Sequence, residues 1–318
     1  MSQINLITTC TNGKHSNGYP ILNLATLSTR LSSPHRLIQA WCNAVESAIS
    51  TGHTLPVEKM YKGGHWATAM SVCQSYPVEL WVLSAGLGLL KRDDNVLPYQ
   101  ATFAVGHDDS IPLFTESYKG KEFHQRWWSE LNKHSPFQDK HPVSLTELMK
   151  SRPNEYFIIC GSPDYISAVG PDITTGLTYL PSAEKQLLIV SSSRVKSPLN
   201  HYLLKSNKRI AEWLKCNMLM LNIKIAQYVI EQFTHEGYDN LGVLAKSLDK
   251  QFSVLPASSK KQGIRRTPEE VEAWVVEHLK EVPHASASRA LRVFRDSGNS
   301  FEEKRFRTLF HTVQLRNQ

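Results

Sequence analysis

Hydrophobic positions along the chain alternate between two periods. Ile4 to Thr8 is a short apolar run that empties into the polar turn Thr11-Asn12-Gly13-Lys14-His15, the pattern of a buried parallel strand. "SPHRLIQAWCNAVESAI" and "HWATAMSVCQSY" then repeat apolar residues at helical spacing, and "VELWVLSA" returns to the strand pattern. The stretch from Trp81 to Phe103, "WVLSAGLGLLKRDDNVLPYQATF", reads as that strand followed by one long connection. An aromatic-rich helix around Phe123 to Leu131 and a short helix with a serine cap in "SLTELMKSR" come next. "YFIICGSPDYISAVG" reads as strand, turn and helix, and "KQLLIVSSS" as a further strand. From Lys208 the pattern is helical only, with "KRIAEWLKCNMLMLNIKIAQYVIEQF" predicted as one long helix covering the core. Strands alternating with helices predict an α/β fold, a mostly parallel sheet with helices on both faces.

A basic, polar segment with Pro, Gly and Ser, residues 256–267, marks a linker after a first domain of residues 1–255. Beyond it Thr267-Pro268-Glu269-Glu270 spells a capping box with proline at the first helical position, opening a helix to about Glu281. Ser286 or Ser288 opens a second helix that ends at Ser297-Gly298, and Ser300 with Glu303 caps a third. Residues 268–318 are therefore predicted to form a small three-helix unit.

Charge sharpens this division. The 318 residues carry a formal charge of +7, and residues 256–318 hold 12 Lys/Arg against 8 Asp/Glu, leaving +3 for the remainder. Arg289, Arg292 and Arg295 recur at i, i+3, i+6, and Lys304, Arg305 and Arg307 continue the strip. With Arg265 and Arg266 from the linker they form a candidate nucleic-acid-binding surface, the charge pattern that follows a phosphate backbone. Five cysteines without C-x-x-C spacing indicate neither a zinc site nor a disulfide framework, and His15, His65 and His201 lack zincin spacing, so no metal is expected. "GLGLLK" is not a phosphate-binding loop, and no cofactor is expected. The first residues lack a signal-peptide pattern and no apolar run approaches the roughly 18 residues of a membrane span, so a cytoplasmic protein with no membrane partner is expected.

Four motifs, "INLITTCTNGK", "MYKGGHW", "LWVLSAGLGLL" and "LPYQATF", stand in the order and spacing of a bacterial peroxide-stress-protein-like family, which the chain resembles over roughly residues 1–118. That family resembles uracil-DNA-glycosylase-like and transglycosylase accessory domains. Gly63-Gly64-His65-Trp66 departs from its usual Gly-Arg-His-Trp. Further on, "FIICGSPDYI" resembles the strand and water-activating Gly-Gln-Asp-Pro-Tyr loop of uracil-DNA glycosylases, with Pro163 and Asp164 in exchanged order. "LLIVSSSRVKSPLNHY" resembles their His-Pro-Ser-Pro-Leu loop through Ser197-Pro198-Leu199, with Val195 in place of the histidine.

The resemblance implies a uracil-DNA-glycosylase-like fold and hydrolysis of the N-glycosidic bond of a modified base in DNA, with hypermodified phage DNA as a setting, to leave an abasic site. A base-exchanging transglycosylase for 7-deazapurines and a non-catalytic DNA-binding stress-protection protein are the alternatives. Base removal passes through an oxocarbenium-like transition state that a carboxylate stabilises, so Asp94, Asp93 and Asp164 are the candidate catalytic residues. A flipped base needs polar groups, close backbone approach and an aromatic face. Cys10, Lys14, Tyr61, Ser84, Gly86, Gly88, Tyr99, Ser162, Tyr165 and Ser192 are the candidate substrate-binding residues.

Overall fold

A computed structural model describes residues 3–192, 198–256 and 263–316, and the chain divides into two compact units, Met1–Leu255 and Pro256–Gln318. The first is an α/β unit built on six strands: β1 (Ile4–Thr9), β2 (Val78–Ser84), β3 (Gly88–Lys91), β4 (Tyr156–Cys160), β5 (Leu187–Ser192) and β6 (Leu203–Ser206), in the order β6-β5-β4-β1-β2-β3. Every neighbouring pair is parallel except β2 and β3. Ile4, Asn5, Leu6, Ile7 and Thr8 of β1 are all buried, which alternating side chains achieve only when both faces are covered. Two groups of helices supply the cover. One comprises α1 (Pro34–Ser50), α3 (Glu122–Lys133), α4 (Leu145–Ser151) and α5 (Pro163–Leu177); the other comprises α2 (Gly64–Ser75), α6 (Leu221–His235) and α7 (Leu241–Ser253).

The sheet corrects two sequence expectations. Trp81 to Phe103 is not a strand and one long connection, because β3 turns back antiparallel to β2 through Ala85-Gly86-Leu87, pairing Ser84 with Gly88 and Trp81 with Lys91. Gly88 at φ +79° makes that turn possible. The long helix predicted from Lys208 is broken: Lys208–Trp213 ends in Lys215 at φ +51°, Asn217 Oδ1 accepts from the Met220 amide, and α6 restarts at Leu221. The intervening turn exposes Met218 and Leu219.

One carboxylate fastens three helices. Pro171 lies inside α5 and offers no N–H to the carbonyl four residues earlier, and the Gln125 amide of α3 donates to that Ser167 carbonyl at 3.2 Å. Next to it, Asp172 Oδ2 accepts from Trp128 Nε1 at 2.8 Å and Leu145 N at 2.9 Å. Its Oδ1 accepts from Thr146 N at 2.9 Å and Thr146 Oγ1 at 2.7 Å. Two of these donors are orphan amides at the start of α4, so Asp172 caps one helix from the middle of another. Asp172→Asn turns an NH2 toward donors on one side; a loss of about 2 kcal/mol in unfolding free energy is expected. Urea melts that superimpose on wild type would contradict this role.

The second unit has its own core. Its helices α8 (Pro268–Glu281), α9 (Ala287–Asp296) and α10 (Glu303–Arg316) bury Val271, Val275, Leu291, Phe294, Phe306 and Phe310 together. Thr267 and Glu270 form the reciprocal capping box that opens α8. Ile264–Arg265 pairs in parallel with Asn299–Ser300, tying the approach to α8 against the link between α9 and α10.

Candidate functional site

From β1 the chain moves to β2 on one side, and it later returns to lay β4 on the other. The carboxyl ends of β1 and β4 therefore form a topological switch point, where open α/β sheets leave a crevice. The loops there are pinned by backbone bonds that extend the ladder, from Cys10 N to Leu83 O at 3.1 Å and from Gly161 N to Val190 O at 3.1 Å.

Six of the sequence-predicted binding residues gather at this end. Cys10 Sγ and the Tyr165 hydroxyl lie 3.1 Å apart, and Thr102 Oγ1 reaches the same hydroxyl at 3.4 Å. The Tyr99 hydroxyl bonds Tyr61 Oη at 2.9 Å and Ser84 Oγ at 2.7 Å, while Ser84 Oγ accepts from the Leu87 amide at 2.9 Å. Lys14 is brought over this pair by a backbone bridge to Tyr61, and its Nζ stands 4.4 Å from the Tyr99 ring centre and 5.8 Å from that of Tyr61. Burial holds the Lys14 ammonium below the usual lysine range, with Cys10 and Asp109 pulling the other way. Burial, reinforced by Cys10, pushes the phenols of Tyr61, Tyr99 and Tyr165 far up, so all three keep their protons at neutral pH.

Beside this cluster α5 begins. Ser162 is its N-cap residue in extended conformation, yet its side chain makes no cap bond, and Pro163 occupies the first helical position. Asp164, in the first turn of a 15-residue helix, is paired with Lys121. It sits where the helix dipole favours negative charge. Ser192 ends β5 opposite Ser206, half-buried. Val195 and Ser197 lie outside the described residues.

Asp93 and Asp94 are not at this end. β3 carries the chain from Ser84 back toward the amino ends of β1 and β2, so the pair emerges beyond Lys91, whose Nζ meets Glu79 at 2.9 Å. Asp93 is exposed and lines a shallow pocket with Gln3, Glu79, Arg152 and Glu155. Asp94 is buried; its Oδ2 accepts from the Lys91 amide at 2.7 Å and its Oδ1 meets His141 Nε2 at 2.8 Å. Its lone pairs hold a turn.

The expected roles of three other residues also change. A Cβ on Gly86 would lie 2.5 Å from the Tyr99 ring and 3.0 Å from Trp41, so this glycine makes room for two aromatic rings. A Cβ on Gly88 would lie 2.9 Å from Asn132 Oδ1. The Tyr99 ring is fully buried between Gly86 and Lys14, and no face of it is free to stack on a base.

Thr102 and Lys121 are members of this neighbourhood that sequence reasoning missed, and His65, weighed there only as a metal ligand and as part of a motif, joins them. His65 Nε2 lies 2.7 Å from Thr8 Oγ1 at the end of β1, and burial lowers its pKa to about 4, which leaves it neutral at physiological pH. A single lysine or threonine carries no periodic signal of a partner more than 40 positions away. Among the described residues no group of three His, Cys, Asp or Glu side chains is arranged to hold a metal ion, and no helix is long and apolar enough to cross a membrane.

In the second unit the basic residues divide by commitment. Arg266 bonds Asn299 Oδ1 at 2.6 Å and Glu270 at 3.1 Å; Arg307 pairs with Glu303 at 2.8 Å and bonds Ser288 Oγ at 3.2 Å. Arg295 donates to the Phe301 carbonyl at 3.3 Å, and the Arg305 guanidinium lies 5.3 Å from the Phe301 ring centre. Arg265, Arg289, Arg292 and Lys304 are exposed, and none of them has an ion-pair partner among the described residues. Arg289 and Arg292 share the outer face of α9, opposite buried Ala287, Ala290, Leu291 and Phe294. Compared with family models, curated proteins and solved structures, the chain matches none.

Proposed function

We infer that the first unit is a uracil-DNA-glycosylase-like domain that hydrolyses an N-glycosidic bond in DNA carrying a modified base, with Asp164 as the carboxylate and the second unit as a DNA-binding module. The observation that carries this reading is the placement of Asp164 at the switch-point crevice, one residue before the Tyr165 that bonds Cys10. A carboxylate there stabilises the charge that develops on the sugar, while the hydroxyls of Ser162 and Thr102 and the Lys14 ammonium stand near for the base or phosphate. Asp93 and Asp94, at the far end of the strands, take no part. The setting is cytoplasmic, and phage DNA bearing hypermodified bases is the substrate class.

Purified protein incubated with DNAs carrying different base modifications, followed by mass spectrometry of the released bases, tests the reading. Released base with an abasic site supports hydrolysis. Uptake of a labelled free 7-deazapurine without an abasic site shows exchange, and neither outcome leaves only a DNA binder.

DNA affinity is expected to fall steeply with salt. In Arg289→Ala/Arg292→Ala the slope of log K against log salt is expected to become shallower by about 0.9 for each phosphate that the protein no longer neutralises. Gel shifts at several salt concentrations measure it; an unchanged slope would reassign these arginines to solubility.

A further inference from the structure

Arg289 and Arg292 stand on the open outer face of α9, whereas three other arginines of the second unit meet in a pocket. Arg265, Arg266 and Arg305 line it together with Thr267, Ser300 and Phe301. Paired backbone builds one wall. Ile264 N donates to Gly298 O at 2.8 Å and Arg266 N to Ser300 O at 3.1 Å, and Gly263 permits that approach, because a Cβ there would lie 2.6 Å from the Asn299 carbonyl oxygen. Charge is unevenly compensated inside. Arg266 is committed to Asn299 Oδ1 and Glu270. Arg265 and Arg305 have no carboxylate within ion-pair distance among the described residues, and the Arg305 guanidinium is steadied by the face of Phe301. Glu302, in the same wall, accepts from the Lys304 amide at 3.1 Å, and Glu269 acts on Arg305 only from beyond ion-pair distance.

Two guanidinium groups with unused donors therefore share one concavity. Like charges gathered without partners repel, and an anion seated between them removes that cost. The shape of the donors selects the anion. A guanidinium offers a planar fork that takes oxygens two at a time; a carboxylate satisfies one such fork, while a phosphate has oxygens for both. We propose that this pocket is a phosphate-binding site, in which Arg265 and Arg305 grip one backbone phosphate of the DNA that the α9 strip follows. The inference rests on the DNA-binding reading of the second unit for the source of the phosphate. Arg295 joins the two surfaces, since it continues Arg289 and Arg292 along α9 and donates to the Phe301 carbonyl in the pocket wall. From Arg289 to Arg295 the helix rises about 9 Å. Phosphates of one strand advance about 3.4 Å each along the duplex axis, so strip and pocket fall within a few phosphates of one another.

The experiment labels the arginines of the full chain with phenylglyoxal and reads each by peptide mass spectrometry, in acetate, in inorganic phosphate at matched ionic strength, and with duplex DNA. Inorganic phosphate is expected to slow labelling of Arg265 and Arg305 several-fold and to leave Arg289 and Arg292 as reactive as in acetate, while DNA protects all four. Equal labelling of Arg265 and Arg305 in phosphate and acetate, or equal protection of Arg289 and Arg292 by phosphate, overturns the pocket. Protection of the pocket pair by phosphate with no arginine protected by DNA sinks the DNA-binding reading and leaves a site for a free phosphate. Protection of Arg289 and Arg292 alone by DNA does the reverse. In Arg265→Gln/Arg305→Gln the slope of log K against log salt for duplex DNA is expected to become shallower by about 0.9, the share of one phosphate; an unchanged slope counts against the site. Should that variant melt early, the labelling of wild type decides.

Discussion

Asp164→Asn is expected to abolish base release, while Asp94→Asn leaves the rate per folded molecule unchanged. The two substitutions are alike in size and chemistry and differ in place. Asp164 opens α5 beside the crevice, paired with Lys121 in a half-exposed setting where a ligand can reach it. Asp94 is committed to the Lys91 amide and His141 at the other end of the strands. A carboxylate that stabilises an oxocarbenium-like transition state contributes about 3 to 5 kcal/mol, roughly two to four powers of ten in rate. Single-turnover release from a DNA that wild type processes measures both variants on one substrate. An inactive Asp94→Asn protein with an unchanged melt would return catalysis to the β3 turn, and a fully active Asp164→Asn protein would remove the carboxylate from the mechanism.

The effect of Asp94→Asn is expected in stability instead, and to depend on pH. The His141 and Asp94 side chains are only 9% and 5% exposed, and the imidazole also packs against the edge of Trp81 and the face of Phe137. Burial pulls the His141 pKa down, but the Asp94 carboxylate and the Pro142 carbonyl outweigh it, against a small opposing effect of Lys91, and the net shift is upward. A group whose folded pKa is raised stabilises fully below its unfolded value, about 6.5 for histidine, and loses that contribution as pH rises through the folded pKa. Removing one partner of a buried pair costs about 3 to 5 kcal/mol. Asp94→Asn should therefore melt well below wild type at pH 6, and the gap should narrow toward pH 9. Melting curves at both values decide; a gap that widens with pH would mean that the imidazole is neutral in the fold.

The sequence made much of this architecture legible because buried parallel strands and amphipathic helices have distinct periods. Ile4 to Thr8, "YFIIC" and "LLIVSS" announce themselves as strands by unbroken apolar runs, and Thr267 to Glu270 announces a helix start by capping chemistry. The hairpin was not legible. "GLLK" is too short for period to distinguish a strand from a loop, and reading it as a loop left Asp94 beside Tyr99. Four strand residues at about 3.3 Å each are enough to carry a side chain from one end of the sheet toward the other. Tyr99 returns to the crevice end because the chain doubles back after Asp94, through Asn95–Val96 paired with Leu55–Pro56 and then Tyr99–Gln100 paired with Leu22–Asn23. The convergence of Cys10, Lys14, Tyr61, Ser84, Tyr99 and Tyr165 depends on those long-range pairings, which no local pattern encodes.

The proline inside α5 bears on how this unit assembles. With Pro171 in its middle, α5 loses an internal hydrogen bond, and the Ser167 carbonyl takes its donor from α3. At the start of α4 the Leu145 and Thr146 amides in turn find their acceptors on Asp172, while Ser144 Oγ accepts from the Glu147 amide. Neither helix completes its bonding alone, so α3, α4 and α5 form one cooperative folding unit, and the first turn that presents Asp164 and Tyr165 acquires its final place only when all three have docked. A peptide spanning 163–177 would be a poor helix in water, and in native-state hydrogen exchange the amides of α4 and α5 should open together, at a single free energy.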